Sequence, residues 1–197
     1  MFQPSGVTRD AFGNALIAPV PYRGLMVAAV ELYLDVHATR RLRTLWHALE
    51  AEGIPTLASL QNDRHRPHVS LAAAAQLAPD AVTAALTGVA VGHGLTVDLD
   101  FVGQFVGRVL WVGVTATEEL LAHHRLVHER LSAAGVEVWD HYRPGRWVPH
   151  CTVSLRVPNA LLAPAIRRCL EVLPIRATVT GAAVTDHAND ITSPLTG

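Results

Sequence analysis

The sequence predicts a mixed α+β protein built from one strand–helix–strand unit used twice, with its halves packed around a pseudo-twofold axis. Three observations lead there. Apolar runs of strand length alternate with helical periodicities along most of the chain. Two Pro-His motifs, at Pro67-His68 and Pro149-His150, lie 82 residues apart. The same offset aligns much of what precedes each motif.

The elements follow in order. Leu25 to Leu34 is a near-continuous apolar run, the pattern of a strand covered on both faces. Asp35 is placed to cap a helix whose Leu42, Leu45, Trp46 and Leu49 repeat at i, i+3, i+4, i+7, and Gly53 ends it. A turn near Asn62-Asp63 precedes a strand opening at Pro67-His68-Val69-Ser70-Leu71. A helix from about Pro79 to Leu86 leads to an alternating strand, Leu95 to Phe101, with Val97, Leu99 and Phe101 on one face. Then the order recurs. Val109 to Val114 is a strand, Thr117 caps a helix with Glu118 and Glu119 in its first turn, and the helix runs to Gly135. Pro144-Gly145 makes a turn, and Pro149-His150-Cys151-Thr152-Val153 opens a strand. A helix near Pro164 and a strand from about Ile175 to Val184 close the pattern.

The offset of 82 pairs Val27 with Val109, Val30 with Val112, Arg43 with Arg125, Leu49 with Leu131 and Ala51 with Ala133. It also pairs Gly53 with Gly135, Arg64 with Arg146, Pro67 with Pro149 and His68 with His150. These are nine identities in the 42 positions from 27 to 68, where such a composition gives about three by chance. A bias toward Ala, Val and Leu does not account for the Gly, Pro and His matches.

Composition narrows the function. With half of its 197 residues hydrophobic and 17% charged, the chain can bury a core without staples and is not a disordered protein. No apolar run approaches the roughly 20 residues of a membrane span, and no basic segment followed by an apolar one opens the chain. A soluble cytoplasmic protein with no membrane contact is expected. A net charge of −1 argues against a nonspecific nucleic-acid coat, so any RNA contact is local, such as an end. Cys151 and Cys169 form neither a disulfide framework nor a zinc spacing.

Of the eleven histidines, the organised ones lie in the two related motifs. His37-Ala38-Thr39 also reads H-x-[ST], but it has no partner under the repeat, and about one such match arises by chance. On a strand, residues i and i+2 share a face. His68 with Ser70, and His150 with Thr152, therefore each present an imidazole and a hydroxyl together, while Cys151 turns toward packing. Strands related by a twofold axis would aim both pairs into one cleft. There one imidazole takes a proton from the attacking oxygen, the other gives one to the leaving oxygen, and the hydroxyls bond the phosphoryl oxygens. That scheme calls for no metal or other cofactor.

The paired motifs resemble the signature of the 2H phosphoesterases, in particular the bacterial 2′-5′ RNA ligase-like, RNA 2′,3′-cyclic phosphodiesterase branch. The resemblance spans roughly residues 25–185 and is specific at the two motifs. It implies a bilobal α+β fold with antiparallel sheets around a central cleft, and opening of a 2′,3′-cyclic phosphate, typically to a 2′-phosphate, on an RNA end or small nucleotide. His68 and His150 carry over as catalytic residues, Ser70 and Thr152 as phosphate-binding ones. Ser70 stands where Thr is commoner and keeps the hydroxyl. Arg156 occupies a place where related proteins often carry a basic residue. The implied domain is 25–185, with halves at about 25–106 and 107–185, an N-terminal arm at 1–24 and a C-terminal tail at 186–197.

Other residues have two readings. Tyr142 and Trp147, beside the Pro144-Gly145 turn, either stack on a base or pack a hairpin. Arg64 and Arg146, related by the repeat, either draw in a phosphate or are solvated turn residues. His124 and His128, at i and i+4 on the second long helix, align with Leu42 and Trp46 and read as partly buried face positions rather than metal ligands. Two further function classes stay open: a phosphate- or nucleotide-binding module without turnover, and a 2H enzyme acting on 2′-5′-linked oligonucleotides or ADP-ribose cyclic phosphate. No obligate protein partner is indicated.

Overall fold

The structure is a computed structural model that describes residues 27–59 and 65–195. Its first half contains β1 (Ala28–Leu34), α1 (Val36–Ala51), β2 (His68–Ala74), α2 (Pro79–Ala85) and β3 (Thr96–Phe105). The second half repeats the order with β4 (Val109–Val114), α3 (Glu118–Ala133), β5 (His150–Ser154), α4 (Leu162–Val172) and β6 (Ile175–Asp186). One further strand, β7 (Ile191–Leu195), follows.

The sheet runs β2-β1-β6-β3-β4-β5, with every ladder antiparallel and β7 paired to β6. Exchanging first-half strands for their second-half counterparts turns this order into its own reverse. The pseudo-twofold axis therefore passes between β3 and β6, and the two end strands, β2 and β5, lie against each other.

The local reasons are those expected. Asp35 caps α1 by accepting the His37 and Ala38 N–H groups at 2.9 and 3.0 Å, and Thr117 caps α3 through the Leu120 N–H at 3.2 Å. Gly53 and Gly135 stop the two helices at φ of +79° and +71°, where a side chain would be strained. Leu42, Leu45, Trp46 and Leu49 are all buried. One face of each strand meets the helices: Val30, Leu32 and Leu34 of β1, and Leu110, Val112 and Val114 of β4, belong to one continuous core. The alternate residues face the other way, and that second face carries the site.

The structure corrects three expectations. Residues 186–197 are not simply a tail, because a turn at Asp186, whose carboxylate holds the Ala188 and Asn189 N–H groups, sends the chain back as β7. Phe101 does not share a face with Val97 and Leu99. A bulge between Leu99 and Phe101 inverts the alternation, leaving Phe101 42% exposed. The offset of 82 holds for α1 and α3 and for β2 and β5, but against the histidine strands Tyr33 pairs with His68 while Gly113 pairs with His150. β1 and β4 are thus related by 80 residues, and the identities Val27/Val109 and Val30/Val112 do not mark equivalent places. Two extra residues before Thr117 absorb the difference. The N-terminal arm (1–24), the start of the first apolar run, the Asn62-Asp63 turn and Arg64 lie outside the described residues. No helix among the described residues is long and apolar enough to cross a membrane.

Candidate active site

Each histidine opens its strand directly after a proline, and the same backbone trick orients both rings. His68 Nδ1 donates to the Arg66 carbonyl at 2.7 Å, and His150 Nδ1 donates to the Val148 carbonyl at 2.7 Å. A ring whose Nδ1 carries the bonded proton leaves Nε2 as the nitrogen that can act on a ligand. The match continues in the ladders. A bulge falls between Val30 and Glu31 opposite β2, and another between Leu110 and Trp111 opposite β5. Each gives its motif the same local bend.

Across each ladder, Ser70 faces Glu31 and Thr152 faces Trp111. His68 and His150, with their hydroxyl partners, are half-buried on the non-helical face of end strands that meet. The ring of His68 lies close enough to depress the proton affinity of His150. Contacts cross between the halves at this seam: Trp147 Nε1 donates to the Ser70 carbonyl at 3.0 Å, His128 Nε2 to the Leu71 carbonyl at 3.1 Å, and the Leu57 N–H to the Val153 carbonyl at 3.1 Å.

The surroundings of the two rings differ sharply. On the His68 side stands Glu31, 2% exposed, with Oε1 at 3.3 Å from His68 Nε2 and 2.6 Å from His187 Nε2. Thr185 donates its hydroxyl to Oε2 at 3.1 Å. Burial opposes ionisation of Glu31, yet the imidazoles of His68, His187 and His65 outweigh it and hold the carboxyl down at about 2. The Tyr33 phenol beside it is pushed up to about 12, by burial first and then by Glu31, and the Arg66 guanidinium lies 4.2 Å over the Tyr33 ring.

On the His150 side the neighbours are aromatic. Phe105 meets the His150 ring edge-on at 4.9 Å between centroids, and Trp111 lies at 5.7 Å. Phe101 adds a third ring, edge-on to Trp111 at 5.9 Å. Glycines make room for these rings. A Cβ on Gly103 would sit 2.2 Å from the Trp111 indole, and one on Gly113 would sit 2.2 Å from the Phe101 ring. Burial among these groups lowers the His150 pKa to about 4 against the pull of the Val148 carbonyl, with His68 and His141 lowering it further. His150 is therefore neutral at neutral pH.

The remaining candidates fall elsewhere. Trp147 is buried, stacked flat on His124 at 4.0 Å, with its indole N–H on β2; this is packing rather than an open stacking surface. Tyr142 is half-buried against the core, and its carbonyl accepts from His124 Nε2 at 2.9 Å. Arg146 and Arg143 are exposed and both engage Asp140. Arg156 is exposed just past the end of β5. His124 and His128 are buried on the α3 face, as the comparison with Leu42 and Trp46 implies, and burial lowers both pKa values, that of His124 to about 4.

Glu31, His65, His187, Phe101, Phe105 and Trp111 were not singled out by sequence reasoning. Two signals were available. A lone carboxylate in the middle of a buried strand requires a partner. Two glycines inside strands, at 103 and 113, likewise mark where rings lie flat on backbone.

Comparison with known proteins agrees with this geometry. A model of the 2′-5′ RNA ligase superfamily matches residues 32–191, most of the chain and both motifs. The chain belongs to the 2′-5′ RNA ligase superfamily. Membership brings phosphoesterase-type chemistry with it, and the superfamily fold is seen in solved structures. The chain superposes on E. coli LigT in apo form with a TM-score of 0.52 at 17% identity, covering 86% of this chain and 94% of that one. E. coli LigT complexed with NADP+ matches with a TM-score of 0.51 at 20% identity, and a structure described as a phosphoesterase with 0.52 at 19%, at the same coverages. A search of curated proteins finds no match to the chain. At these identities the likeness is one of fold, so within the superfamily the choice of substrate must come from this chain's own residues.

Proposed function

We propose that this superfamily member is a 2H-type phosphodiesterase that opens 2′,3′-cyclic phosphates, on RNA ends or small nucleotides, to 2′-phosphates by two-histidine acid–base catalysis. The observation that carries the reading is the inequality of two otherwise matched imidazoles. Both have Nδ1 tied to a carbonyl at 2.7 Å. One faces an ionised carboxylate and the other sits among aromatic rings.

With the cyclic phosphate between the two Nε2 atoms, water attacks phosphorus and His150, neutral, takes its proton. The bond from phosphorus to the ribose 3′ oxygen breaks, and His68, opposite Glu31, gives its proton to that oxygen. One P–O bond forms and one breaks. The two rings exchange charge and reset through solvent. Ser70 and Thr152 donate hydrogen bonds to the non-bridging oxygens. The exposed Phe101 ring offers a surface for the base, which suits a single-stranded end. That E. coli LigT has been crystallised with 3′-AMP is in keeping with a nucleotide in such a cleft.

A turnover panel tests the reading. It comprises 2′,3′-cyclic mononucleotides, RNA with a cyclic-phosphate end, 2′-5′ oligoadenylate and ADP-ribose cyclic phosphate. Fastest turnover of the first two, with 2′-phosphate as product, is the expected result. Preference for either of the last two would reassign the substrate. Binding of all four without turnover would make the protein a phosphate-binding module.

A further inference from the structure

Around His68 lies a cluster larger than two-imidazole chemistry needs. His65, His68 and His187 each offer a ring nitrogen, and these three atoms lie within 4.8 Å of one another. Glu31 Oε1 joins them, at 3.3 Å from His68 Nε2 and 2.6 Å from His187 Nε2. We propose that His65, His68, His187 and Glu31 form a binding site for one divalent transition metal of the zinc type, whose occupation withdraws His68 from catalysis.

The donor set is the first argument. Three imidazoles and one carboxylate are the ligands that zinc-type ions take in four-coordinate sites, and they do not suit magnesium or calcium, which prefer oxygen throughout. Spacing is the second. Three imidazoles bound to one tetrahedral ion at ~2.0–2.1 Å have ring centroids ~5 Å apart and donor atoms ~3.3 Å apart. Here the centroids are separated by 4.6, 5.3 and 5.9 Å, and His68 Nε2 and Glu31 Oε1 already stand at the ligand–ligand distance.

The outer partners fit as well. The Arg66 carbonyl holds His68 Nδ1 and turns Nε2 inward, the arrangement by which ligating histidines are usually oriented. The Thr185 hydroxyl secures the other oxygen of Glu31, and Arg43 donates to the His65 carbonyl at 3.0 Å. Access and charge choose a cation. A cavity of about 100 Å³ is lined by His65, His187 and Glu31, and its walls add Asp186 and Asp190 against Arg66. Three carboxylates against one guanidinium attract a metal ion. Among the described residues the other half has no such set, since Trp111 and Trp147 stand where the repeat places Glu31 and His65.

The metal arm is independent of the enzymatic reading, whereas the inhibition arm rests on it. Full-length protein is stripped with EDTA, dialysed and titrated with Co²⁺, reading visible ligand-field bands, and separately with diamagnetic Zn²⁺, reading the histidine ring resonances by NMR. The expected result is one saturable Co²⁺ per chain with intense low-coordinate bands, displaced by Zn²⁺. The rings of His65, His68 and His187 should shift, while those of His124 and His128 should not. The variant His187→Gln should weaken binding at least tenfold. On any ester the protein turns over, Zn²⁺ should inhibit with the same stoichiometry and at least tenfold less effectively in His187→Gln, each variant judged against its own metal-free rate. Absence of saturable bands in the wild-type protein, or shifts confined to other histidines, would overturn the site whether or not the enzyme is active. Stoichiometric binding without inhibition would overturn the link to His68.

Discussion

The His68 half and the His150 half share a backbone down to its irregularities. Both have a proline before the histidine, an Nδ1 bond to the carbonyl two residues earlier, and a bulge at the matching step of the ladder. The side chains laid on that backbone are of opposite kinds. Glu31 in β1 corresponds to Trp111 in β4, Tyr33 to Gly113, and Thr185 of β6 to Phe105 of β3. One ring therefore looks onto a buried carboxylate and hydroxyls, the other onto indole and phenyl rings. The matched parts set where the nitrogens are, and the unmatched parts set what each ring faces.

Removing either histidine should break both halves equally. His68→Ala and His150→Ala are each expected to lower turnover of a cyclic phosphate by about 10²-fold or more, the scale of general acid–base catalysis. Steady-state kinetics check it, and near-wild-type rates in either variant would remove that residue from the mechanism.

Exchanging the neighbours sharpens the comparison, because the two exchanges should differ in their effect on the acid limb of the pH–rate profile. In the proposed mechanism the acid limb belongs to His150, held at about 4 by burial. Trp111→Ala, which opens that wall to water, should move the limb up toward the ordinary histidine value of 6.5, with about tenfold lost at a given acid pH per unit moved. Glu31→Gln leaves that wall intact and should not move the limb. Movement of the acid limb in Glu31→Gln as large as in Trp111→Ala would contradict the division of roles.

Stability should follow pH in a stated direction. His65, His124 and His150 have folded-state pKa values lowered by burial to about 3, 4 and 4. The unfolded chain binds protons at these sites first, so their contribution is complete above about 6.5 and is lost as pH falls through that value toward 4. Thermal unfolding should show Tm falling between pH 7 and 4.5. His124→Gln should flatten the fall in that window, while Glu31, whose folded value is about 2, contributes its own loss only below about 4.5.

The smallest effects are expected at the hydroxyls. Ser70→Ala and Thr152→Ala each remove one hydrogen bond to a phosphoryl oxygen while the twofold mate remains. About fivefold each in kcat/KM corresponds to roughly 1 kcal/mol. A larger loss than in the histidine variants would mean that a hydroxyl, not an imidazole, carries the proton.

Local features of this molecule were legible in sequence, and long-range ones were not. The caps at Asp35 and Thr117, the stops at Gly53 and Gly135, the buried stripe of α1 and the two motifs all depend on neighbours within a few residues. Their elements appear where the pattern puts them. The 80-residue relation of β1 to β4 was hidden because two inserted residues before Thr117 shift the alignment, while chance valines matched at 82. The face of Phe101 was misjudged because a bulge breaks strand alternation without leaving a mark in composition. Glu31 was visible as a charge in an apolar run. Its partners His187 and Thr185 lie more than 150 residues away, so only the β1–β6 pairing brings them together.

The central claim is that matched imidazoles have unequal jobs, and a change of leaving group tests it most directly. On a nitrophenyl phosphodiester the departing oxygen needs little protonation, so the acid becomes dispensable while the base does not. His68→Ala should return to within about tenfold of the wild-type rate on this ester, and His150→Ala should stay about 10²-fold or more below it. Recovery of His150→Ala with His68→Ala still impaired would contradict the account, reversing the roles that Glu31 and the aromatic wall are argued to assign.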